Sequence, residues 1–109
     1  MRIIIAGAGE VGFHLAKMLT NEAQDLYIID ESEERLNYVQ SHIDVIGVKG
    51  DATSLGLLKE TKINTCDLLI AATSSEETNM LICMIGKKLG AKNKANKQID
   101  SKFLDDEQL

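Results

Sequence analysis

Apolar residues fall along this chain in two alternating patterns: short unbroken runs, and longer stretches with helical spacing. Ile3 to Ala6, Leu26 to Ile29, Val45 to Val48 and Leu68 to Ala72 are the runs, each of a length suited to a strand. The first and fourth are apolar on both faces, as expected of strands in a parallel sheet covered on both sides. After the first run, Val11, Leu15, Met18 and Leu19 repeat at helical spacing. Leu36 and Val39, with Tyr38 beside them, mark the buried side of a second helix from about Ser32. Ser54 can cap a short helix carrying Leu55, Leu57 and Leu58. Thr73 to Glu77 reads as a fourth helix start, with hydroxyls that can cap and carboxylates that suit the dipole. Met80, Leu81, Met84, Ile85 and Leu89 follow along this helix, with the methionines read as core filler, and Gly90 can end it.

The join between the first strand and the first helix carries the sharpest motif. Gly7-x-Gly9-x-x-Gly12 follows the apolar run directly and opens the helical stretch. In such a turn Gly7 lets the backbone reverse, Gly9 leaves room for a pyrophosphate, and Gly12 lets helix and strand pack closely. The helix N-terminus adds unpaired N–H groups and a partial positive charge. Gly7, Ala8, Gly9, Glu10, Val11 and Gly12 are therefore candidate phosphate-binding residues.

Alternation of strands and helices predicts an α/β fold, a single Rossmann-like doubly wound parallel sheet. The expected order is 3-2-1-4, with a fifth strand beside the fourth. Strands 1 and 4 then flank the topological switch point, where open α/β sheets bind ligands. Residues 1–91 read as this domain. Residues 92–109 read as a polar tail with a weak fifth strand and a possible helix start, because Lys92 to Gln98 contains only Ala95 as an apolar residue. Ile99, Phe103 and Leu104 could still dock on the sheet.

Composition narrows the class. At 109 residues the chain suits one domain, and a 44% hydrophobic content fits a soluble globular protein. The net charge of −5 argues against a nucleic-acid surface. No apolar run approaches the ~20 residues of a membrane span, and the first residues lack the charged region, apolar core and cleavage site of a signal peptide. Cys66 and Cys83 sit in apolar surroundings without CxxC spacing and read as reduced core residues of a cytosolic protein. There is no metal-ligand spacing.

Asp30 ends the second strand eighteen positions after Gly12. A carboxylate there can accept both ribose hydroxyls of an adenosine. With Glu31 it would repel a 2′-phosphate, and positions 31 to 34 hold no Arg or Lys, so NADP is disfavoured. The alternative is that Asp30 caps the next helix with Glu33 as its partner. Asp51 and Ala52 follow the third strand and could line an adenine pocket, or form only a turn. Thr73 and Ser74 follow the fourth and could contact phosphates or the second half of a dinucleotide, or only cap a helix. Glu77 and Asn79, in the following helix, read as solvated surface or subunit contact. His14 and His42 lie away from the expected ligand edge, so no acid or base is placed for catalysis. The pattern predicts binding rather than turnover.

Five blocks together resemble one family. Met1 to Gly12, Tyr27-Ile-Ile-Asp30, Val48-Lys-Gly-Asp-Ala-Thr53, Asp67 to Thr73 and Glu76-Glu-Thr-Asn-Met80 are similar, in order, to the N-terminal nucleotide-binding domain of Trk-type potassium-uptake regulators (the KTN, or RCK N-terminal, domain). The resemblance implies a cytoplasmic regulator at the inner face of the cell membrane. It would form a homodimer or higher ring beneath a membrane potassium-translocating subunit, and gate it on binding NAD(H), or in related members ATP or ADP. Carried over, Gly7 to Val11 would hold the phosphates, Asp30 the ribose, Asp51 and Ala52 the adenine side, and Thr73 and Ser74 the other half. Family members often carry Arg where this chain has Glu10, which favours NAD(H) over ATP here. The family's fifth strand is apolar, whereas here Asn96 falls at its Ile and Gln98 at its nucleotide-contacting Arg. The chain also stops before the family's sixth strand and C-terminal domain, as a fragment or an abbreviated member would. Two other classes stay open: a truncated cofactor domain of an NAD-dependent dehydrogenase, and an assembly module with a vestigial pocket.

Overall fold

The computed structural model describes residues 1–23 and 25–96. Five parallel strands, β1 (Arg2–Ala6), β2 (Asp25–Asp30), β3 (Ile46–Lys49), β4 (Leu68–Ala71) and β5 (Lys94–Asn96), pair in the order β3-β2-β1-β4-β5. The crossovers are α1 (Glu10–Leu19), α2 (Glu33–His42), α3 (Leu55–Glu60) with a 3-10 turn at Ile63–Thr65, and α4 (Glu76–Leu89). This is the expected order, fifth strand included.

Strand pleating sorts the apolar runs onto two faces. Ile3, Ile5, Leu26, Ile28 and Ile70 point to one side, where they pack with Ala16, Leu36, Val39 and Ile43 from α1, α2 and the end of α2. Ile4, Ala6, Ile29, Leu69 and Ala71 point to the other, against Leu58, Ile63, Cys66 and Ile82. The double core explains why these runs are continuous rather than alternating. Cys66 is buried and Cys83 is half-buried.

Two helices turn differently from their sequence pattern. On α1 the buried positions are Gly12 and Ala16, while Val11 and Met18 are exposed. The close approach at Gly12 sets the helix rotation, so the smallest residues face the sheet and Phe13, Leu15 and Leu19 pack at the flanks. On α4 the buried line is Asn79, Ile82 and Gly86. Met80, Leu81 and Met84 point outward, with Met84 67% exposed, so these methionines do not fill the core. Tyr38 is likewise exposed, and stacks on His42 with ring centroids 4.4 Å apart.

Among the described residues β5 ends the sheet, and its polar residues are held there by backbone pairing with β4. Its residues pair as Leu69 with Lys94, Ile70 with Ala95 and Ala71 with Asn96. The readings of Gln98, Ile99, Phe103 and Leu104 fall outside the described residues.

Candidate functional site

The carboxyl ends of β1, β2 and β4 open onto a cavity of about 600 Å³ at the switch point. The glycine turn forms its floor. Gly7 has φ +116, where a Cβ would also meet the Ala72 carbonyl oxygen at 2.7 Å. A Cβ on Gly12 would lie 1.8 Å from the Gly7 carbonyl oxygen, so this residue closes helix on turn. At Gly9, by contrast, the nearest atom is Arg35 Nη1 at 4.0 Å, and the space is open to the cavity.

Asp30 fixes this turn. Its Oδ2 accepts the Ala8 N–H at 2.8 Å, and its Oδ1 accepts the Ser32 N–H at 2.8 Å. One carboxylate thereby joins the turn after β1 to the approach of α2. Each oxygen keeps a second acceptor direction, and the side chain borders the cavity. The capping role falls elsewhere: Ser32 Oγ accepts the Arg35 N–H, so the expected Asp30–Glu33 alternative does not form.

Helix ends divide in the same way. Ser32, Ser54 and Ser75 cap α2, α3 and α4 with their hydroxyls, whereas Gly9 gives α1 no side-chain cap. The first-turn N–H groups of Glu10, Val11 and Gly12 have no intrahelical acceptor. Gly7, Gly9, Glu10 and Val11 line the cavity, while Ala8 and Gly12 are buried beneath it.

The remaining candidates lie around the rim. Asp51 Oδ1 accepts both the N–H and the hydroxyl of Thr53, at 2.8 and 2.6 Å, and these bonds hold its carboxyl below the usual carboxylate range. It thus makes the turn that one reading expected, and with Ala52 it also borders the cavity. Thr73 and Ser74 border the opposite side. The Thr73 hydroxyl lies 2.6 Å from Asn79 Oδ1, which also accepts the Thr73 N–H at 2.9 Å, while Asn79 Nδ2 donates to the Thr73 carbonyl at 3.1 Å. The one hydroxyl proton has Asn79 Oδ1 and the Ser75 carbonyl as acceptors, and the oxygen itself accepts the Ser75 N–H at 3.2 Å, so Thr73 offers a ligand one lone pair rather than a donor.

Asn79 is fully buried and was not legible as a site residue. The available signal was its phase with Ile82 and Gly86, which places a polar side chain on the core face. Asn79→Ala should lower stability by about 2–3 kcal/mol in urea denaturation, by stripping the Thr73 N–H of its acceptor; a change under about 0.5 kcal/mol would mark an ordinary surface residue. Arg35, the residue after the cation-free stretch 31 to 34, also lines the cavity, and its place in a polar helical turn gave no sign of this. His14, His42 and Glu77 are absent from the cavity lining. Among the described residues no helix is long and apolar enough to cross a membrane.

A parallel sheet in this order, with a glycine turn at its switch point, defines a Rossmann-like α/β domain. The chain belongs to the TrkA-N domain family, whose profile matches residues 3–107. The Trk system potassium uptake protein TrkA homolog of Archaeoglobus fulgidus is 41% identical over 93 residues, covering 85% of this chain and 21% of that protein. The chain thus spans about a fifth of that relative's length. Among solved structures, the Kef CTD of Shewanella denitrificans in its AMP-bound form superposes with a TM-score of 0.70 at 26% identity, over 87% of this chain and 56% of that one. The GsuK channel bound to NAD gives a TM-score of 0.73 at 17% identity, over 88% of this chain and 18% of that one, a likeness of fold.

Proposed function

We propose that this domain senses an adenine nucleotide, NAD(H) before ATP or ADP, and regulates a potassium-transport system rather than catalysing a reaction. The observation that carries this reading is the Asp30 carboxylate, which ties the open glycine turn to α2 while facing the cavity. Phosphates would lie on the N–H groups from Gly9 to Gly12, above Gly7 and Ala8. The ribose diol would donate to Asp30, adenine would rest against Asp51 and Ala52, and the second half would reach Thr73 and Ser74. Asp30 and Glu31 disfavour the 2′-phosphate of NADP by charge.

Family membership and the potassium-uptake relatives support the transport role, and the AMP-bound Kef domain supports an adenine nucleotide. The partner in this reading is a membrane potassium-translocating subunit contacted from the cytoplasmic face, with the domain itself a homodimer or ring. Outward-facing Met80, Leu81 and Met84 give α4 an apolar surface suited to such contacts. Regulation would be a population shift, the nucleotide favouring the arrangement it binds better. A tenfold preference per site is worth about 1.4 kcal/mol, so several sites together could move a gate whose states differ by a few kcal/mol.

Calorimetric titration with NAD+, NADH, ATP, ADP and NADP+ tests this. NAD+ or NADH should bind tightest and NADP+ at least about tenfold more weakly. Binding of none of the five would overturn the nucleotide reading, and equal binding of NADP+ would overturn the charge argument at Asp30 and Glu31.

A further inference from the structure

The cavity is an electrostatically awkward place for a phosphate. Glu10, Asp30, Glu31 and Asp51 all border it, and Arg35 is the single cation among the described lining residues. Backbone N–H groups and the α1 dipole supply only partial charges against four carboxylates.

Arg35 is rooted firmly and ends loosely. It lies in the first turn of α2, where its own N–H is held by Ser32 Oγ at 3.2 Å. Its side chain is 62% exposed and reaches back toward the glycine turn, with Nη1 4.0 Å from Asp30 Oδ2. At that length the contact is a weak ion pair that a guanidinium leaves at little cost. Asp30 has its closer donors already, in Ala8 and Ser32. The same Nη1 is the atom nearest the side-chain space that Gly9 leaves empty, beside the uncapped start of α1.

We propose that Arg35 reads the phosphate on the 5′ side of the ribose, so that charge recognition here comes from a cation carried by α2 as well as from the glycine turn. This rests on the adenine-nucleotide reading of the cavity. The ligand class it defines is a ribose with an unsubstituted 2′,3′-diol for Asp30 and a 5′-phosphate within reach of the guanidinium. A 2′-phosphate would instead point toward Asp30 and Glu31. Arg is suited to the task because its planar fork can meet two phosphate oxygens at once.

The test compares adenosine, AMP, NAD+ and NADP+ by calorimetry, on wild type, Arg35→Gln and Arg35→Lys, with thermal melts to confirm folding. Wild type should prefer AMP to adenosine by at least about tenfold. Arg35→Gln should remove most of that preference and weaken NAD+ by about tenfold, with adenosine changed less than about twofold. Arg35→Lys should restore part of the preference, since it keeps the charge and loses the fork. An unchanged AMP-to-adenosine ratio in Arg35→Gln would overturn the proposal. Equal losses for adenosine and AMP would do so too, by assigning Arg35 a structural role beside Asp30. A loss confined to NADP+ would assign it to a 2′-phosphate instead. A wild type that binds none of the four ligands would fail the nucleotide reading itself, an outcome distinct from failure at Arg35.

Discussion

Gly12→Ala should cost the domain at least about 3 kcal/mol, the upper range for overpacking a core. The added Cβ would stand 1.8 Å from the Gly7 carbonyl oxygen and 2.8 Å from its carbon. Both are backbone atoms, so no rotamer change relieves the clash; α1 must move off the turn. For a domain of about this size the loss corresponds to a melting-temperature drop of about 12 °C or more. Gly9→Ala is the matched control, because its Cβ meets nothing closer than Arg35 Nη1 at 4.0 Å. That variant should lose about 1 kcal/mol, the difference between glycine and alanine at an N-cap. Thermal melts of the two proteins read the contrast, and equal losses would show that α1 does not rest on Gly12.

Asp30→Ala should weaken NAD(H) by at least about a hundredfold, or about 2.7 kcal/mol. Two effects add. The ribose loses its carboxylate, and the Ala8 and Ser32 N–H groups lose the acceptor that sets the turn. The second effect should also lower the stability of the free domain by about 1–3 kcal/mol. Calorimetry at a temperature where the melt shows the variant folded separates them. Affinity within threefold of wild type would remove Asp30 from the ligand contacts.

The order of the first four strands was readable from the sequence because each is a continuous apolar run bounded by a turn, whereas the polar β5 was legible only as a weak strand beside the fourth. The glycine turn and Asp30 were readable because their spacing follows from the size of a βαβ unit. Helix rotation was not. On α1 the pattern of large apolar residues pointed to Val11 and Met18, yet the backbone approach at Gly12 turned Ala16 inward. On α4 the sequence pattern put the methionines in the core and Asn79 on the surface, whereas the structure buries Asn79, Ile82 and Gly86 and turns Met80 and Met84 outward. Arg35 escaped for a related reason. Its sequence position suggests a solvated helix face, and only the reach of a long side chain back over the turn brings it to the cavity.

The bond from Ala8 to Asp30 has a further consequence, for entropy. A glycine-rich loop free in solution samples many conformations, and ordering it against a ligand costs about 1–2 kcal/mol per residue fixed. Here the Gly7 N–H is already held by the Ile29 carbonyl at 2.8 Å and the Ala8 N–H by Asp30. The cradle is preorganised by the strand beside it, so little of a ligand's interaction energy is diverted into building the site. Small differences between related ligands, a phosphate more or fewer, can then appear nearly undiminished as differences in occupancy.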